Sequence, residues 1–393
     1  MKGRKLLMIP GPIEFEPEVL RVLGAQTASH VAPNFIATFG NCIRSMRKIW
    51  QTKNGQPFII SGSGTLAMDM AASNLIEQGD NALVISTGYF GDRYKDILER
   101  YGANVTILNV VPGKTIEIDR VNDALKKKKY KLLTFTHVDT STGVLVNPKP
   151  IAELAKKYNV LSILDGVCSV AGEEIKQEEW GLDIVLTASQ KAIGVPPGLA
   201  LLVVSKKAMS VWEQRKTLVS NYYCDWQNWL PIMKAYEEGK PSYFGTPPVN
   251  LIFALEKSLE IIVTEGIQKR VKRHQTIAAA FRRSIQSIGL KLMPISNNIC
   301  ANTLSAIYYP EDVNGGEFCA KMAANDIIVA GGLLPELKTI YFRVGHMGSV
   351  STKDIVATLS AIENALKFVN YKFEFGISLK TFQEEIYKTT INN

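Results

Sequence analysis

The sequence has no cysteine pair at Cys-x-x-Cys spacing, no His-Glu-x-x-His run and no apolar stretch near twenty residues. Each absence excludes a class of protein. The five cysteines, Cys42, Cys168, Cys224, Cys300 and Cys319, are scattered and odd in number. Free thiols in a reducing compartment are expected, rather than a disulfide scaffold. The four scattered histidines give no metal-ligand spacing, so no metal site is expected. A bilayer span needs roughly 20 apolar residues, so no membrane segment is expected. The basic start, Met1 to Met8, leads into an apolar stretch that stops at Pro10, too short for a secretory leader. The last four residues, Thr390-Ile391-Asn392-Asn393, are not an SKL-type address. Cytoplasm is the expected location. No low-complexity block and no fixed-period repeat interrupts the chain.

What is present is an ordinary globular composition. Hydrophobic residues make up 46% and charged residues 21% of 393, which argues against extensive disorder. That length corresponds to roughly two to three domain-sized units. The net charge is +8. Its one obvious basic run, Lys126 to Lys129, has no interleaved aromatics, so it reads as a solvated helix end and not a nucleic-acid site. Diffuse positive charge suits small anionic substrates.

From about residue 57 to 205, short apolar runs alternate with helical patterns. Strands are expected at 57–61, 82–86, 105–110, 131–138, 160–164, 184–188 and 199–203. Helices are expected at 66–76, 93–101 and 150–158. Alternation of this kind implies α/β units on a mostly parallel sheet covered on both faces. Such sheets bind ligands beyond the carboxyl ends of their strands. The last third mixes helical patterns (249–263, 266–288, 353–368) with short strands (304–309, 340–344), as in a smaller α+β unit. The expected division is an arm at 1–20, a large unit at 21–262 and a small unit at 263–393. Residues 220–248, rich in Tyr, Trp, Pro and Gly, read as an irregular connector.

Three polar residues fall at expected strand ends: Thr140, Asp165 and Lys191. If their strands are parallel neighbours, all three emerge on one rim. Lys191 is flanked by Ala188, Ala192, Ile193 and Gly194. Desolvation favours the neutral, nucleophilic amine of a lysine, and the chemistry that uses such an amine most directly is a Schiff base with pyridoxal phosphate. That cofactor works as an electron sink while its ring nitrogen is protonated, and Asp165 is the candidate carboxylate. Ser61-Gly62-Ser63-Gly64-Thr65 lies between a strand and a helix. It reads either as a phosphate cradle or as a plain helix cap. It completes neither a Walker A loop nor a nicotinamide-binding glycine motif.

Ser63-Gly64-Thr65, Asp165, Ser189-Gln190-Lys191 and Arg343, in this order, resemble the class V branch of fold-type-I pyridoxal-phosphate aminotransferases. Within that branch they are most similar to the alanine–glyoxylate and serine–pyruvate aminotransferases. The resemblance runs from Met8-Ile9-Pro10-Gly11-Pro12 to Arg343-Val344-Gly345-His346-Met347-Gly348. It implies a large domain with a mostly parallel seven-stranded sheet and a smaller C-terminal α+β domain.

The resemblance also implies a role for each residue. Lys191 carries the cofactor and shuttles a proton. Asp165 pairs with the ring nitrogen, Thr140 donates to the ring's phenolic oxygen and Phe90 stacks on the ring. Ser63, Gly64, Thr65 and Gln190 hold the phosphate. Phe90 stands where many relatives have Trp, and Thr65 where some have His. Tyr243 and Thr246 resemble residues that reach the neighbouring subunit's phosphate, which implies a homodimer; alternatively they shape a turn. Arg343 corresponds to the arginine that grips the substrate carboxylate, a role suited to a planar fork, the alternative being a structural ion pair. Gly11 lines the substrate pocket. The implied reaction is ping-pong transfer from L-alanine to glyoxylate. Serine–pyruvate, serine–glyoxylate and 3-hydroxykynurenine transamination fit the same residues. His137 is expected to be a packed residue, and the aromatic cluster Tyr222, Tyr223, Trp226 and Trp229 to be core or dimer packing.

Overall fold

The computed structural model describes residues 5–391. Met1–Arg4 of the basic start and Asn392–Asn393 of the terminal tetrapeptide lie outside it. A seven-stranded sheet is built from β1 (Gln56–Gly62), β2 (Asn81–Ser86), β3 (Asn104–Asn109), β4 (Leu132–Thr136), β5 (Leu161–Asp165), β6 (Ile184–Ala188) and β7 (Gly198–Val204). The strand order is β1-β7-β6-β5-β4-β2-β3. Only β7 opposes the rest: it pairs antiparallel with both β1 and β6, whereas β6, β5, β4, β2 and β3 are parallel neighbours. Strands β4, β5 and β6 are buried along their whole length. Burial on both faces explains why they read as unbroken apolar runs instead of alternating ones.

Helices cover the sheet. The helix Pro33–Trp50, not anticipated from the sequence, buries Phe35, Phe39, Ile43, Met46 and Trp50, a stripe at helical spacing. It packs against the helix Val249–Glu265. The supposed connector at 220–248 holds a helix, Trp226–Glu237. Pro231 inside it reads as a breaker, yet the Asp225 carboxylate caps the N-terminus by accepting from the Gln227 amide. Trp226, Trp229, Met233 and Tyr236 bury one face. Packing of that face outweighs the single amide proline removes. The expected strand at 131–138 ends at Thr136. Val138–Asp139 then leaves the sheet to form a short antiparallel ladder with Val144–Leu145. That departure creates the turn that carries Thr140. Lys126–Lys129 are exposed at the end of the helix Ile118–Lys127.

A second apolar core gathers Ile277, Phe281, Phe318, Phe342, Leu359 and Ile362. Its sheet is β8 (Leu304–Tyr308), β10 (Tyr341–Gly345) and β9 (Ala330–Gly331), all antiparallel. The helices Ile267–Ser287 and Thr352–Phe368 cover it, and a further unforeseen helix, Ile377–Ile391, packs on the first of these. The amino-terminal strand Leu6–Leu7 pairs parallel with Ile327–Ile328. The Met8 carbonyl then accepts from the Gly345 amide at 2.8 Å. This anchors the arm so that residues 10–13 run on towards Lys191.

Candidate active site

The parallel order of β4, β5 and β6 brings Thr140, Asp165 and Lys191 to one rim. Asp165 is the last residue of β5, aligned with Thr136 and Leu186 on either side. It is buried, and its Oδ1 accepts from the Val167 amide at 3.0 Å. Burial pushes its carboxyl up to about 7. The Val167 amide pulls in the opposite direction, as do the charges of Lys191 and Arg93, while the Asp139 carboxylate adds to the rise. A carboxylate buried this deeply is stabilised most by a cation placed against it.

Lys191 sits in the reverse loop between β6 and β7. The Ser189 hydroxyl pins that loop, donating to the Pro196 carbonyl at 2.8 Å and accepting from the Leu199 amide at 3.2 Å. Lys191 is 8% exposed and its Nζ donates to the Pro10 carbonyl. Gly11 follows with φ +108°, a conformation open chiefly to glycine. A Cβ there would lie 2.5 Å from Lys191 Cδ and 2.8 Å from Nζ. The Ile13 amide closes the contact by donating to the Gln190 carbonyl at 3.2 Å. The arm is therefore a wall of the lysine pocket.

At the edge of the rim, Ser63 precedes the helix Gly64–Leu75 and makes no side-chain cap. Its hydroxyl and the first helical amides are left to face a ligand. Gly64 presses on the Asp165 turn: a Cβ there would meet Val167 Cγ2 at 2.8 Å. Thr65 Oγ1 accepts from Arg93 Nη1 at 3.1 Å. Phe90 lies in the first turn of the neighbouring helix Tyr89–Arg100, and its amide donates to Asp139 Oδ2 at 3.1 Å. Asp139 also accepts from the Ser141 amide at 2.8 Å and the Ser141 hydroxyl at 2.5 Å. One buried carboxylate thus ties the Phe90 turn to the Thr140 turn.

Arg343, on β10, reaches across from the small sheet. Its Nη1 donates to the Thr140 carbonyl at 3.2 Å and its Nε to the Gly331 carbonyl at 2.9 Å. No carboxylate lies within 4.0 Å of it among the described residues, so it is not the structural ion pair considered from sequence. Two of its five donors are used, which leaves the rest of the fork for an anion. Thr140 Oγ1 lies 2.7 Å from Cys168 Sγ. His137 is buried with Nδ1 unpartnered, and burial pulls its ring down to about 3, so it stays neutral. No group of three or more His, Cys, Asp or Glu side chains able to hold a metal occurs among the described residues.

Tyr243 and Thr246 are the predicted residues that the chain does not join to this group. Tyr243 is 63% exposed, and its hydroxyl lies 3.5 Å from that of Thr246. Sequence reasoning missed Arg93 and Asp139. Arg93 was findable, because it lies one helical turn beyond Phe90. Asp139 depends on contacts between distant segments.

A lysine and a buried carboxylate at adjacent strand ends, beside an uncapped helix N-terminus, have the chemistry that a phosphate-bearing aldehyde cofactor requires. The residues fit pyridoxal phosphate. Asp165 is buried where a ring N–H⁺ would satisfy it, and the Ser63 hydroxyl is free to donate. The aminotransferase class-V family model matches residues 20–333. Alanine–glyoxylate aminotransferase 1 of Saccharomyces cerevisiae is 37% identical over 88% of this chain and 93% of its own. The crystal structure of ureidoglycine–glyoxylate aminotransferase from Bacillus subtilis superposes with a TM-score of 0.92 at 26% identity, covering 99% of both chains. That of alanine–glyoxylate aminotransferase from Nostoc sp. does so with a TM-score of 0.88 at 30% identity, covering 93% of this chain and 96% of that one. The chain belongs to the class V aminotransferases and is a pyridoxal-phosphate-dependent transaminase. No helix among the described residues is long and apolar enough to cross a membrane.

Proposed function

We propose that this transaminase moves the amino group of L-alanine to glyoxylate, giving pyruvate and glycine, in two half-reactions at one site. The observation that carries the reading is the convergence of Lys191, Asp165, Thr140 and Arg343 on one rim, walled by Pro10–Gly11. The three relatives described above share glyoxylate in their names, which supports the acceptor. Two of them share alanine, which supports the donor.

Pyridoxal phosphate, when bound, supplies the electron sink that makes an amino acid's α-proton removable. The chain supplies the rest. Lys191 Nζ would hold the cofactor and would carry a proton to and from the substrate α-carbon. Asp165 keeps the ring nitrogen protonated, and burial strengthens that pairing. The Thr140 hydroxyl would donate to the ring's phenolic oxygen, and Phe90 would pack against the ring. Ser63, Gly64, Thr65 and Gln190 bond the phosphate. Arg343 takes the substrate carboxylate with its remaining donors, while the carbonyls of Thr140 and Gly331 hold its fork in place. Gly11 shapes the wall and keeps water from Lys191.

We also propose a cytoplasmic homodimer in which Tyr243 and Thr246 serve the partner's phosphate. The exposure of Leu218, Tyr222 and Tyr243 supports such a surface. The working units are the arm 1–20, the large unit 21–262 and the small unit 263–393.

The test is the visible spectrum of the cofactor-loaded protein. L-alanine should discharge the cofactor band and glyoxylate should restore it, and Lys191→Ala should abolish both changes. A band that L-alanine leaves unmoved but L-serine discharges would overturn the donor.

A further inference from the structure

We propose that Arg93 is a phosphate-binding residue of the cofactor site, supplying the charge that pairs with the phosphate on the Ser63–Thr65 cradle. This rests on the reading that the rim takes pyridoxal phosphate, but not on which amino acid is the donor. Nothing in the motif that carries the family resemblance includes Arg93, which lies one turn into the helix Tyr89–Arg100. Its guanidinium carbon is 4.9 Å from the Phe90 ring centroid and 5.1 Å from that of Tyr89. Nη1 donates to Thr65 Oγ1 at 3.1 Å. The side chain thus bridges the two walls of the pocket, the aromatic one and the phosphate one.

The electrostatics show what the arrangement lacks. Thr65 lies in the first turn of the helix Gly64–Leu75, the positive end of its dipole. A guanidinium placed there is repelled by the helix it touches. No carboxylate lies within 4.0 Å of Arg93 among the described residues. The adjacent Asp92 is engaged elsewhere, accepting from the Ser86 hydroxyl at 2.7 Å. The Arg93 charge reaches the buried Asp165 carboxylate only beyond ion-pair distance, so a half-buried cation beside a helix N-terminus has no anion in contact. A phosphate dianion between them supplies one, and the guanidinium fork suits phosphate. The contact with Phe90 keeps the fork from swinging into solvent.

The alternative is that Arg93 only props Phe90. The experiment separates the two by using pyridoxal, which has the ring but no phosphate. Apoprotein is titrated with pyridoxal 5′-phosphate and with pyridoxal, for wild type, Arg93→Met, Arg93→Lys and Thr65→Val, and binding is followed by fluorescence quenching. The readout is the preference for the phosphorylated ligand. A charge-assisted bond to phosphate is worth enough to lower that preference about tenfold to a hundredfold in Arg93→Met. Arg93→Lys should keep most of the preference, because the charge remains. Thr65→Val retains the arginine and should lose much less than Arg93→Met. Added salt should weaken pyridoxal-phosphate binding less in Arg93→Met than in wild type. Arg93→Met with a preference within about threefold of wild type overturns the proposal, as does an equal loss of both ligands. If Arg93→Met does not fold, Arg93→Gln takes its place, because it removes the charge while keeping a polar side chain of similar length; a preference within about threefold of wild type in that variant overturns the proposal. Wild type that binds no pyridoxal phosphate would sink the site reading itself. Wild type that binds it but ignores L-alanine would sink only the donor.

Discussion

Gly11→Ala is the sharpest probe of the arm as a wall of the lysine pocket. Two costs follow from the geometry. At φ +108° a non-glycine residue is strained by about 1–3 kcal/mol. An unfolding entropy near 2.1 cal/mol/K per residue turns that into a fall of about 1–4 °C in melting temperature for a chain of this length. The second cost is local. The added Cβ would stand 2.5 Å from Lys191 Cδ, 2.8 Å from Cε and 2.8 Å from Nζ. The lysine chain must retreat by roughly 1 Å, and a misplacement of that size costs up to about a hundredfold in rate. Gly79→Ala is the control. Gly79 has φ +87° and open space within 4 Å of its would-be Cβ, so it shares the strain without the contact. Both variants are expected to melt a few degrees early by scanning fluorimetry. Only Gly11→Ala should capture pyridoxal phosphate slowly, by about tenfold to a hundredfold, in stopped-flow absorbance. Equal capture rates in the two variants would refute the argument that the arm positions the lysine.

Asp165 gives a pH signature in the apoprotein. Its carboxyl ionises near 3.8 when unfolded and at about 7 when folded, so the native state binds the extra proton between those values. Stability therefore falls as pH rises from about 4 to 7, by an amount on the order of a few kcal/mol. Glu173, raised to about 7 by burial, adds a parallel slope. Asp165→Asn should gain on wild type steadily across that window in urea melts, and a pH-independent difference would contradict the assignment. Arg343→Ala should raise KM for L-alanine by about tenfold to a hundredfold; Arg343→Lys should recover little, and a wild-type KM in either would exclude a carboxylate role. Refolding Lys191→Ala together with a Tyr243→Ala/Thr246→Ala variant should restore roughly a quarter of wild-type activity if sites are shared between subunits. No recovery would place those two residues in their own chain's site, and a fully active Tyr243→Ala/Thr246→Ala variant on its own would place them outside any site.

The fold was largely legible because β4, β5 and β6 are short apolar runs between helical patterns. Lys191, Asp165 and Thr140 could be placed because each lies at or within a few residues of the carboxyl end of such a run, the end at which a parallel sheet exposes it. The misses have a common cause. Pro231 hid the helix Trp226–Glu237, whose buried aromatic face outweighs one missing amide. The strand expected to reach residue 138 stops at Thr136, because Val138–Asp139 finds a partner in Val144–Leu145. Arg343 could be singled out by its resemblance, but its partners, the carbonyls of Thr140 and Gly331, are properties of the fold.

The chemistry of the rim was therefore set by residue type and by position relative to strand ends, both local properties of the chain. The arm over Lys191, the carboxylate of Asp139 tying two turns together and the unpaired Arg93 at a helix N-terminus were decided only in three dimensions. Each joins segments far apart in sequence, and hydrogen bonds and charge act through distance in space, which a linear pattern does not record.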